Sequence, residues 1–215
     1  MDLSLLITYG PDLLAATWLT VILTVTTVVV STVLGIPLAI LAISGGPVIV
    51  AILYAYSFAM RAIPLLLILY IIYYGLPSMG IVFDALPTAV IGLVVAATAY
   101  NMEIIRAGLE AVDKGQWESA SALGIPPLRT WKDVIIPQAL PFIIPPFISN
   151  AIIVLKGTSV ASIITIGELT AVTNGLISTT YQAFAFLAFS AVVYLALSSV
   201  LTILQQLAER HWKVT

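Results

Sequence analysis

The sequence predicts an all-α integral membrane protein with five transmembrane helices and a polar two-helix loop between the third and the fourth. Three observations carry this. Of 215 residues, 61% are hydrophobic and 8% are charged, whereas a soluble domain carries about 25% charged residues. Residues 13–60 contain no charged side chain, and a helix that long exceeds one bilayer crossing, which needs about 20 residues. Nine charged residues crowd between Glu103 and Asp133, so one short island must face water.

The composition also closes off several classes of function. A net charge of −2 with scattered basic residues leaves no surface for nucleic acid. With no cysteine and a single histidine, His211, the chain has neither a disulfide framework nor a cysteine/histidine metal site. The opening segment MDLSLLITYGPD lacks a basic region, so the first span is expected to serve as an uncleaved insertion signal.

The whole chain, 1–215, reads as one transmembrane domain, and its elements follow in order. The uncharged run turns at Ser44-Gly45-Gly46-Pro47, which gives span one at about 13–43 and span two at about 48–74. Thr20, Thr24, Thr26, Thr27 and Thr32 in span one suit helix–helix contacts in lipid. Span two carries Arg61 with Pro64 close behind. A charge inside the membrane marks a site residue, or one that snorkels or pairs with a carboxylate. After a short loop containing Asp84, span three covers about 87–110. Its Glu103, Arg106 and Glu110 fall at i, i+3 and i+7 and pair along one face.

The island itself, QWESASALGIPPLRTWKDVIIP from Gln116 to Pro137, has the local chemistry of two short helices. Asp113 or Gly115 starts the first, and Gly124 stands where a left-handed C-cap belongs. Pro126 or Pro127 opens the second, in which Leu128, Trp131 and Ile135 form one apolar face, and Pro137 ends it.

Span four, about 138–166, is expected to be irregular. Pro141, Pro145 and Pro146 break its entry, and Lys156 lies roughly 16 Å beyond Pro145, close to the midplane. Gly157, Thr158 and Ser159 then predict a break near 156–159 and a half-helix running to Ile166. Such an N-terminus inside the membrane presents free N–H groups and a positive dipole end, which suits a carboxylate, and Lys156 adds a full charge. The other reading of Lys156 is a pairing with Glu168. Asn174, Gly175 and Tyr181 form a loop, and span five covers about 182–204. Trp212, between Arg210 and Lys213, fits an interfacial anchor. Lys114, Arg129, Lys132, Arg210 and Lys213 share one side, which the positive-inside rule makes cytoplasmic, so the N-terminus lies outside and the C-terminus inside.

The pattern of Glu118, Ala120, Gly124 and Ile136-Pro137-Gln138 resembles the cytoplasmic EAA loop of bacterial ABC importer permeases, with Ser119 in place of the first alanine. Tyr100, Glu103, Arg106, Gly108, Gly115-Gln116, Pro137 to Leu140, Pro145, Asn150 and Lys156 to Ser159 narrow the likeness to the permeases for polar amino acids and opines. Arg61 to Leu66 and Tyr74 to Pro77 are similar to that family too, so the resemblance runs from about residue 13 to the end. It implies a permease subunit in the bacterial inner membrane that moves amino acids or related small zwitterions, opine-like or ectoine-like, into the cytoplasm. It also implies two ATP-binding-cassette ATPase subunits, a second permease (a copy or a paralogue) and an extracytoplasmic solute-binding protein.

No GxxxxGK[ST] loop is present, so ATP and magnesium would sit on the partner ATPase and this chain would not be an enzyme. In this reading the island, about 113–137, is a coupling loop, and Gln116, Glu118, Ala120, Gly124 and Leu128 are its contact residues. Lys156, Thr158 and Ser159 would receive the substrate carboxylate, with Glu168 or Arg61 at the other end. Gly157 stands where Asp is common in that motif, which alters the charge balance of the site. The alternative class is an ATP-independent secondary carrier, which broken helices suit but five spans without an inverted repeat do not. An intramembrane hydrolase with Ser159 as nucleophile lacks a partner base.

Overall fold

A computed structural model describes residues 3–211, all in helices and the turns between them. Short α1 (Leu3–Thr8) leads into α2 (Gly10–Ser44), which has Pro11 in its first turn, where a missing N–H costs nothing. After Gly45-Gly46 comes α3 (Pro47–Ala62), then α4 (Leu65–Tyr70), which widens over Ile71–Gly75 and tightens over Leu76–Met79. Gly80, at φ 81°, stops it. Next come α5 (Ala85–Glu110), α6 (Lys114–Ala122), the single turn α7 (Pro127–Arg129), α8 (Ile136–Gly157), α9 (Leu169–Thr180) and α10 (Ala183–His211).

Helix α5 is the centre of the bundle. It touches α2, α3, α4 and α8, and 61% of its most apolar stretch is buried, against 6% for α10 at the periphery. Glycines let its neighbours approach closely, as helix contacts in lipid require. A Cβ on Gly108 would strike Ile143 of α8, and one on Gly35 of α2 would lie 3.2 Å from both Asn101 Cβ and Met102 N. Among the described residues, four helical stretches are long and apolar enough to cross a membrane: α2, α5, residues 127–164 and α10. A bent pair makes a fifth.

That pair corrects the reading of span two as one helix over 48–74. Helices α3 and α4 meet at 103°, because Pro64 drives Ile63 into extended backbone (φ −80°, ψ 128°). Span four is corrected in the opposite sense, since it is more continuous than its composition suggests. Pro137 does not end the preceding helix. A π-type turn over Thr130–Ile135, with Ile136 N–H bonded to Trp131 O, carries α7 straight into α8. Pro141, Pro145 and Pro146 lie inside α8 without breaking it, as packed membrane helices tolerate.

The expected break at 156–159 is absent as well. Gly157 keeps helical dihedrals (φ −64°, ψ −25°), and the helix merely tightens to 3₁₀ over Thr158–Ile164. The chain does turn at Thr165, where φ is 67°. Asn174 and Gly175 belong to α9, and Tyr181, at φ 57°, makes the corner into α10. The proposed anchor Trp212 and its neighbour Lys213 lie outside the described residues.

Candidate functional site

Two places carry the polar chemistry: the island at α6–α7 and the stretch from Lys156 to Glu168. The island is a rigid, locally specified knob. Asp113 Oδ1 accepts the Gly115 N–H at 2.7 Å and starts α6. At the other end Ile125 N–H reaches Ala120 O and Gly124 N–H reaches Ser121 O, a Schellman closure that holds Gly124 at φ 66°. Ala120 turns inward at 3% exposure. Trp117 meets Trp131 edge to face at 4.9 Å, and Gln116 Oε1 accepts Gln138 Nε2 at 3.1 Å, so α6 is tied to the foot of α8.

Beyond the Gln116–Gln138 bond, the outer face of the knob has no such partners among the described residues. Gln116 and Glu118 are exposed, and Leu123 and Leu128 stand out at 78% and 80% exposure. Leu128 therefore departs from the single apolar face expected with Trp131 and Ile135: Ile135 is fully buried, and the wide turn over Thr130–Ile135 breaks the 3.6-residue register between them. A Cβ on Gly124 would meet nothing within 4 Å, so only its backbone conformation demands glycine here.

The second place is arranged differently from its sequence reading. Lys156 is exposed and makes no ion pair among the described residues, so the pairing with Glu168 is not formed. Thr158 is fully buried and its hydroxyl donates to Leu155 O at 2.7 Å, while Ser159 Oγ donates to Lys156 O at 2.7 Å. Neither caps a half-helix. Glu168 is also fully buried and has become the N-cap of α9. Its oxygens accept Thr170 N–H (3.0 Å), Ala171 N–H (2.8 Å) and the Tyr194 hydroxyl of α10 (3.0 Å). Thr20 of α2 accepts the Leu169 N–H at 3.1 Å, which satisfies a further donor at the same helix end.

Arg61 is exposed at the end of α3, its Nε on Ser57 O at 3.2 Å. The structure does not gather the five predicted residues around one cavity. The nearest cavity, about 250 Å³ between α3, α4, α5 and α8, is walled by Met60, Ile63, Tyr100, Asn150 and Gly157 rather than by Arg61 or Lys156.

Other buried polar groups escaped the sequence reading. Asn101 is 1% exposed; its Nδ2 donates to Ser31 Oγ and its Oδ1 accepts Asn150 Nδ2, both at 2.8 Å, so α2, α5 and α8 share one network. An asparagine in an apolar span is itself the signal that could have flagged it. Tyr194 gave no such signal, since tyrosine is ordinary in membrane helices, whereas Thr20, expected at a helix–helix contact, makes one with the start of α9. Arg106 does bridge Glu103 and Glu110, the latter at 2.6 Å, and lies 5.4 Å over the Tyr54 ring.

The fold and the site together define a helical membrane bundle that exposes one capped, leucine-tipped helix pair. Residues 31–214 match the family described as the inner membrane component of binding-protein-dependent transport systems, and the chain belongs to it. It is 33% identical to the arginine transport system permease ArtQ of Bacillus subtilis, over 99% of this chain and 98% of that one. It is 30% identical to the nopaline transport system permease NocM of Agrobacterium fabrum, over 97% and 91%. Among solved structures, a chain of an amino acid ABC transporter with histidines superposes with a TM-score of 0.90 at 32% identity, covering 98% of this chain and 99% of that one. The inward-facing MetNI methionine transporter, at 19% identity and a TM-score of 0.79 over 95% and 97%, shares the fold. The protein is an ABC-transporter permease, a multi-pass inner-membrane protein whose transport cycle involves ATPase and permease partners.

Proposed function

We propose that this chain forms the translocation path of an importer for amino acids or related zwitterions such as opines. ATP and magnesium sit on two separate ATPase subunits, and an extracytoplasmic binding protein delivers the substrate. The second permease is a copy of this chain or a paralogue. The N-terminus lies outside and the C-terminus in the cytoplasm, the arrangement that Lys114, Arg129, Lys132 and Arg210 favour. The transport systems of its relatives support the substrate class.

The observation that carries the reading is the α6–α7 knob, held firmly to α8 on one side and exposing Glu118, Leu123 and Leu128 on the other. Gln116, Glu118, Gly124 and Leu128 dock in a groove of the ATPase, and Ala120 anchors the helix from behind. Because the knob is rigid, movement of the ATPase reaches α8 without being absorbed in the loop. Gly124→Asp forces a side chain onto a left-handed backbone at this contact. Uptake is expected to vanish and ATP hydrolysis to stop responding to substrate, with membrane insertion unchanged. Normal uptake by that variant contradicts the docking.

For the substrate, the accessible Lys156 and Ser159 meet the carboxylate, and Arg61 lies near the path. Thr158 and Glu168 support the site from within the bundle. Lys156→Met is expected to raise the KM for uptake at least tenfold while the protein still folds. An unchanged KM contradicts the assignment.

A further inference from the structure

The geometry points to a bound phospholipid of the amine-bearing, ethanolamine class, with one acyl chain lying between α2, α5 and α8 and its headgroup at Lys114 and Glu110. Two hollows lead to this. The first, about 300 Å³, is lined by Ile36 and Ile40 of α2, Ile105 of α5, and Leu140 and Phe147 of α8. Its walls are hydrocarbon throughout, for the one hydroxyl there, on Thr32, is engaged with Val28 O at 2.6 Å. The second, about 420 Å³, has Glu110, Lys114 and Trp117 in its walls. Both share Leu109 and Trp131, so they adjoin, the first offering an apolar stem and the second a charged mouth.

The shape and charge select the occupant. At about 300 Å³ the stem is too small for a helix, whose diameter is about 10–12 Å, but it takes a hydrocarbon chain. Ile36, at 45% exposure, leaves one flank open. The Trp117–Trp131 pair stands at the junction of stem and mouth, where indole rings favour the level of lipid headgroups. Lys114 makes no ion pair among the described residues, which leaves its ammonium for a phosphate. Glu110 binds Arg106 through Oε2, which leaves Oε1 for a second cation, the ethanolamine ammonium. Phosphate and amine thus find opposite partners a few residues apart on the rim. Such a lipid would brace α6, through Lys114 and Trp117, against the foot of α8, and so stiffen the knob from its membrane side.

Native mass spectrometry of the full chain in its purified complex tests this after stepwise delipidation and add-back of phosphatidylethanolamine, phosphatidylglycerol or palmitate. The expected result is one retained phosphatidylethanolamine per chain, bound at least fivefold tighter than either competitor. Ile36→Trp, which fills the stem, should lower retention at least tenfold. Lys114→Gln, an exposed change that leaves the fold alone, should reduce phosphatidylethanolamine to the level of palmitate. Equal retention of all three probes overturns the proposal, as does retention unaffected by both variants, or a complex that carries no lipid because a second protein chain seals the groove. The readout is binding alone, so its failure is distinct from failure of the import reading.

Discussion

The α6–α7 knob and the stretch from Lys156 to Glu168 are the two polar breaks in an apolar chain, and they are built on opposite principles. In the knob every turn is closed by groups from the same few residues, Asp113 to Gly115 at one end and Ala120 to Ile125 at the other. In the second stretch local caps are joined by groups from afar: Tyr194 lies 26 residues beyond Glu168, and Thr20 lies 149 residues before Leu169. Water can satisfy a loop's stray polar groups, so an exposed turn needs only local chemistry. Within the membrane every backbone donor must find a protein partner, and distant helices help decide where the chain bends.

The contrast predicts where substitutions harm function and where they harm stability. The largest effect falls on the knob: Gly124→Asp abolishes uptake yet costs only about 1–2 kcal/mol of backbone strain, because no atom lies near the new Cβ. Next comes Glu168→Ala, which removes the N-cap of α9, orphans two N–H groups and leaves the Tyr194 hydroxyl with Thr170 Oγ1 alone. It is expected to cost about 3 kcal/mol and to lower Tm by roughly 6 °C or more in detergent. Lys156→Met, with no ion pair to lose among the described residues, leaves Tm within about 2 °C. Equal thermal losses in those two variants would erase the distinction between the cap and the accessible cation.

The smallest effect sharpens the same point. Thr165 is a β-branched residue held at φ 67°, a conformation that glycine adopts without strain. Thr165→Gly is expected to stabilise the protein by about 1 kcal/mol, read as a small rise in Tm. A fall in Tm would mean that the threonine side chain contributes more than its backbone strain costs.

This division also explains what was legible in the sequence. The all-helical membrane fold followed from the uncharged runs, and the Asp113 start and Gly124 stop of α6 followed from capping rules that act within a few residues. The Glu103–Arg106–Glu110 pairing was equally local. The misreadings lie where packing overrides local preference. Proline at 137, 141, 145 and 146 signals a break in water, yet α8 absorbs all four. Gly157 looked like a hinge, but the chain keeps it helical with Leu65 of α4 packed close by, 3.2 Å from where a Cβ would sit. The real turn fell on Thr165, a residue whose type argues against it. The alternative pairing of Glu168 with Lys156 rests on charge alone, whereas three hydrogen bonds, two of them from a helix start, satisfy the carboxylate without the ammonium.

The central claim, that the knob is where the ATPase engages, is tested most directly by cross-linking. The chain has no cysteine, so Glu118→Cys places one thiol on the exposed face of α6, with no other thiol on this subunit. A short thiol-directed photo-cross-linker on this residue should capture the ATPase subunit in the intact complex, with a yield that changes between nucleotide-free and ATP-bound states. A thiol that labels fully yet captures no ATPase in either state would contradict the account.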